Sequence, residues 1–145
     1  MQFDNVLKYL DQQVSFLAKW GYAKTSEKIY QSSALGEQLH VLYVSAAAAR
    51  KIDFHYTPKR ERKIEFISVF VDTLDGKSVS FEDLLEKKGQ KDIAGAFANP
   101  GNSLETHELF ERFGVAFQRA CETGLNEIVT GKDWIDVPVD WSPYR

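Results

Sequence analysis

The chain predicts an α+β fold: an antiparallel meander of about four strands, with an N-terminal helix and a long C-terminal helix packed on one face. Three observations carry this. Residues 50–56 read RKIDFHY, with Ile52, Phe54 and Tyr56 alternating against Lys51, Asp53 and His55, the two-residue period of a half-exposed strand. Residues 3–20 place Phe3, Val6, Leu7, Leu10, Val14 and Leu17 on one helical stripe. Residues 103–130 carry a second stripe: Phe110, Phe113, Phe117, Ala120, Cys121, Leu125 and Ile128.

Each element follows from local chemistry. Gly21 stops the first helix, because glycine enters the left-handed conformation without steric cost. Lys24–Ser32 is a polar edge strand, and residues 33–37 turn the chain. Gln38–Ser45 is the next strand, with Leu39, Val41 and Tyr43 facing one way and His40, Leu42 and Val44 the other. The four alanines Ala46–Ala49 are too few to sustain a helix between strands and read as a hairpin connection. Arg50–Tyr56 is the third strand. Pro58 opens the following turn, since it has no donor for a ladder. Lys63–Thr73 is the fourth strand. Ile64, Phe66 and Phe70 oppose Ile67, Val69 and Val71, so it reads as covered on both faces. Ser80 and Asp83 suggest a capped short helix, residues 90–102 a loop, and Ser103 the cap of the long helix. Gly114 and Gly124 inside that helix each cost about 1 kcal/mol relative to alanine, which implies close packing or a break. The aromatic tail, with Trp134 and Trp141, is expected to dock on the body.

At 145 residues the chain is expected to form a single domain, residues 1–145, with a core that needs no disulfide or metal. The lone Cys121 falls on an apolar stripe and reads as a buried, inert thiol. The N-terminus lacks a signal-peptide pattern, and no run approaches the 18–20 or so apolar residues of a membrane span. A reduced, cytoplasmic setting without membrane association is the expectation.

Net charge is −3, but it is uneven. Arg50, Lys51, Lys59, Arg60, Arg62 and Lys63 put six of the 18 basic residues into 14 positions; with Asp53 and Glu61 the segment carries +4, against −7 elsewhere. This predicts one locally positive end of the sheet. No phosphate loop, dinucleotide loop or nucleophile elbow occurs. His40, His55 and His107 lack the spacing of a helical zinc site, although His40 and His55 are placed to meet across a hairpin. No cofactor is implied.

Three function classes remain. In the leading reading the chain is a non-catalytic module that binds another protein, with Arg50, Lys51, His55, Lys59, Arg60, Arg62 and Lys63 as the contact set; a homodimer is left open. A small enzyme would use Asp53, His55, Glu65 and Asp72 as acid–base groups on one sheet face. An RNA-binding module would use the basic hairpin with Tyr56 and His55 stacking on bases, against which the acidic total argues.

The order helix, meander, helices resembles bacterial immunity-type and related α+β proteins. The resemblance runs through the Gly21-Tyr22 pair, the IDFHY strand, the FISVFVDT strand and the SFEDLL helix start. It implies a protein that binds a cognate toxin and has no catalytic activity of its own, and it carries over no residue roles.

Overall fold

A computed structural model describes residues 3–32 and 36–136. Helix α1 (Asp4–Val14) tightens into a 3-10 segment, Ser15–Trp20, which Gly21 ends at φ 84°. Five strands follow: β1 (Ala23–Ser32), β2 (Gly36–Ser45), β3 (Arg50–Thr57), β4 (Phe66–Thr73) and β5 (Ser78–Ser80). Then come α2 (Phe81–Lys87), 3-10 segments at Lys91–Phe97 and Pro100–Asn102, α3 (Thr106–Glu122) and the short α4 (Asn126–Val129). The sheet is antiparallel in the order β1-β2-β3-β4-β5.

The fold class is the expected one, with five strands rather than four. The extra strand β5 is only SVS, too short to show a period, and it forms because the Asp75-Gly76 turn returns the chain alongside β4. Strand β4 starts at Phe66, not Lys63. Upstream, the backbone is drawn away from β3: Arg60 and Lys63 close a tight turn, and the Glu65 amide donates to Asn102 Oδ1 at 2.8 Å while its carbonyl accepts from the Asn99 amide.

Helices α1 and α3 share one face of the sheet. Alternation in the strands sends Leu39, Val41, Tyr43, Ile52, Phe54, Tyr56, Ile67, Val69 and Val71 into a single core with Phe110, Phe113 and Phe117 of α3. The Phe54 ring meets Phe113 and Phe117 edge to face, at 6.2 and 5.3 Å between centroids. Both interior glycines have a structural reason. A methyl at Gly114 would collide with Gln13 of α1, so that glycine sets the approach of the two helices. Gly124 lies in a break that ends α3 at Glu122, so the long helix is two helices.

The start expected at Ser80 falls in place, and the one expected at Ser103 does not. Ser80 is the N-cap of α2 but its side chain makes no capping bond. The long helix starts three residues after Ser103, with Glu105 and Glu108 forming a reciprocal capping box. Ser103 Oγ instead donates to the Pro100 carbonyl in the preceding turn. Strand β4 is covered on one face only: Phe66, Ser68 and Phe70 are half-buried among side chains of adjacent strands. No described helix is long and apolar enough to cross a membrane.

Candidate functional site

Among the described residues the second face of the sheet carries no helix, and its side chains are set by strand register. His40 of β2 lies opposite His55 of β3, which lies opposite Ser68 of β4; one step along, Leu42, Asp53 and Phe70 form the next row. The rings fill the gaps between these rows. Tyr30 stacks on His40 at 4.3 Å, His40 on His55 at 3.6 Å with planes 3° apart, and His55 leans on Phe70 at 4.9 Å. Four rings therefore form a ladder across β1, β2, β3 and β4. Because they stack side by side, their faces are turned to one another, and His55 Nε2 is itself buried.

The electrostatics of the ladder are asymmetric. Burial, and then the neighbouring His55, hold the His40 imidazole below its ordinary value, with Asp53 opposing them. His40 Nε2 lies 3.4 Å from Gln38 Oε1. Asp53 Oδ2 lies 3.0 Å from His55 Nε2 without a directed hydrogen bond between them. A shallow cavity of about 130 Å³ opens beside the ladder between Ser26, Lys28, Tyr30, His40, Leu42 and Asp53. Among the described residues no group of three or more histidine, cysteine or carboxylate side chains is gathered for a metal ion. The parallel imidazoles keep their nitrogen lone pairs in separate planes and do not converge on one point.

The basic residues divide into three groups. Arg50 is buried, 7% exposed, and does not belong to a contact surface. Its guanidinium donates to the carbonyls of Ile128 (3.0 Å), Ala49 (3.1 Å) and Asp133 (2.7 Å), and it lies 5.1 Å from the Trp134 ring centroid. It fastens the β2–β3 turn to the end of α4, and Trp134 docks there as expected. Trp141 lies outside the described residues. Lys51 is on the open face, in a row with Val44 and Asp72 at the far end from the turn. Lys59, Arg60, Arg62 and Lys63 are all exposed at the β3–β4 tip. An extended strand separates Lys51 from Lys59 by on the order of 25 Å. The cations adjacent in sequence therefore do not make one patch.

The tip is held in shape. Arg60 and Lys63 exchange backbone hydrogen bonds of 3.3 and 2.9 Å across Glu61 and Arg62, and Arg62 takes φ 63° to close the turn. Arg60 Nη2 donates to the Glu37 carbonyl at 3.2 Å, and Asn102 Nδ2 donates to the Lys63 carbonyl at 3.0 Å. The tip borders the ladder at the row containing Gln38 and Thr57, which hydrogen-bond at 2.8 Å.

The carboxylates expected on one face also separate. Asp53 and Asp72 share the open face with His55. Glu65 is 2% exposed and accepts from Tyr56 (2.5 Å), Asn99 (2.8 Å) and Thr106 (2.8 Å), which ties the β3–β4 hairpin to the start of α3. Tyr56 is buried on the helix side and is unavailable for base stacking. Cys121 is fully buried, and burial raises its thiol pKa well above the ordinary value. Reading the sequence by element missed Tyr30 and Phe70. Tyr30, His40, His55 and Phe70 all sit on the open-face phase of their strands, but that phase is mixed in β2 and apolar in much of β4, and linking the four requires the cross-strand register. The chain matches no family model, no curated protein and no solved structure.

Proposed function

We propose that the protein is a non-catalytic binding module whose partner is another protein, docked on the open sheet face. The supporting observation is the four-ring ladder next to a cationic tip. Lys59, Arg60, Arg62 and Lys63 add full positive charge at the border of the ladder, against Glu61 within the tip. Half-exposed rings and cationic tip together favour a partner surface with carboxylates around an apolar centre. The tip's backbone bonds reduce the ordering cost of binding. A base-stacking platform needs free ring faces, and here most faces are taken by neighbouring rings, which favours protein over RNA.

The specific form of this reading is an immunity-type role, in which the module masks an acidic surface of a toxin. The test begins with affinity capture from the native host, then calorimetry on the identified partner. Arg60→Glu with Arg62→Glu should weaken binding at least tenfold at low salt, by less as salt rises. Tyr30→Ala with Phe70→Ala should weaken it at all salt concentrations. A partner that binds both double variants as tightly as the parent overturns the reading.

A further inference from the structure

The outer edge of β1 is the longest open edge of the sheet. The strand runs ten residues and pairs only with β2, whereas β5 at the other edge has three residues. From Ala23 to Gln31 every residue except Ser26 is exposed. Ile29 and Tyr30 are 44% and 46% exposed, on opposite faces of the same strand. Among the described residues this edge has no covering element, its strand has no proline, and beyond an irregularity at Lys24–Ser26 its pairing is regular, which makes it a template for another strand. Edge lysines normally discourage such pairing, yet Lys24 is drawn onto Asp11 (2.9 Å) and Glu27 (2.5 Å), which leaves Lys28 as the strand's other cation.

We infer that β1 pairs antiparallel with β1 of a second copy of this chain, about a two-fold axis through Ile29. The register follows from charge. In a two-fold antiparallel pair, residues directly opposite share a face, so the axis passes through one residue. An axis at Glu27 or Lys28 sets like charges against each other, which is destabilising. An axis at Tyr30 leaves only the five residues 28–32 to pair. An axis at Ile29 pairs seven residues, 26–32, and opposes no like charges. Ile29 then covers the second copy's Ile29 on the helix-side face, where its neighbour in β2 is Leu39. Lys28 meets the second copy's Tyr30 on the open face, an ammonium beside a ring. Glu27 meets the second copy's Gln31. The product is a continuous ten-stranded sheet with one open face twice as wide, carrying two ladders. This pairing is independent of the toxin-masking reading above.

Sedimentation velocity over a concentration series tests it. The parent chain should shift from monomer to dimer as concentration rises. Ile29→Lys and Ile29→Glu should each remain monomeric with unchanged circular dichroism, and their equimolar mixture should recover the dimer. Cysteine trapping then reads the register with a smaller perturbation. Opposed Cα atoms about 4.5–5.5 Å apart lie within disulfide reach, so Ile29→Cys should cross-link on oxidation. Lys28→Cys places the two sulfurs two residues out of step, beyond that reach. Cys121 is fully buried and does not compete. A parent that stays monomeric at its highest soluble concentration overturns the inference. So does an Ile29→Cys chain that fails to cross-link, or a Lys28→Cys chain that cross-links equally well.

Discussion

The two faces of this sheet are made from the same strands with the same two-residue period, yet they arrange their aromatic rings differently. On the helix side Phe54 meets Tyr43, Phe113 and Phe117 at 89°, 87° and 74°. On the open side the His40 and His55 planes differ by 3°, and Tyr30 and His40 by 30°. Rings under the helices have neighbours on several sides and mix geometries, with Phe113 and Phe117 stacked at 13° beside the edge-to-face pairs. Rings on the open side find partners only in the next strand, about 4.8 Å away, and line up in one row, flattest at His40 and His55 and tilted by 46° at Phe70. The covered face is built for stability. The open one presents charge and half-exposed rings, the composition of a surface that meets something else.

If that division is right, matched substitutions should separate the faces. Phe54→Ala removes a ring that is 1% exposed and touches three other rings, and it should lower unfolding free energy by about 3–5 kcal/mol in a urea titration. Arg50→Ala strands three carbonyls at the core edge and should cost about 2–3 kcal/mol, whereas Arg60→Ala at the tip should stay within about 0.5 kcal/mol. Equal losses would show that the basic residues are not divided as described. Phe70→Ala on the open face should cost about 1 kcal/mol, well below Phe54→Ala. A loss as large as that of Phe54 would mean the open face is a second core.

The smallest expected effect is the pH dependence of the ladder. His40 has a folded value below its ordinary 6.5, because burial and His55 disfavour its charged form. Above about pH 6.5 both folded and unfolded chains hold it neutral, and its contribution is constant. As pH falls below that value the unfolded chain takes up a proton that the folded chain resists, so stability declines until the folded value is passed. Urea midpoints from about pH 8 to about pH 5 should therefore fall more steeply for the parent than for His40→Gln, which cannot titrate. Asp53, His55 and Lys28 surround the site and are present in both chains, so the difference reports His40 together with its coupling to His55. Parallel curves would remove the electrostatic account of the ladder.

Much of this was legible residue by residue. The alternation of Ile52, Phe54 and Tyr56 announced the covered face, and the stripe through Phe110, Phe113 and Phe117 announced what covers it. Gly114 and Gly124 announced a close approach and a break, and each is found where its missing side chain predicts. The caps were less legible. Ser80 and Ser103 have the right chemistry, but Glu105 and Glu108 offer a reciprocal pair that a single hydroxyl cannot match. The role of Arg50 could not be read, because a cation beside Lys51 looks like surface until the Ile128 and Asp133 carbonyls arrive from the far end of the chain.

Period and composition alone determined that this chain makes an antiparallel sheet with one apolar side and two helices to cover it, since side-chain spacing along a strand or helix is a local property of the backbone. Only the tertiary structure decided which open-face residues become neighbours. Register brings Tyr30, His40, His55 and Phe70 into one row of rings, and strand length sends Lys51 and the Lys59–Lys63 tip to opposite ends. Those relations depend on distances between strands and across turns, and no window of sequence contains them.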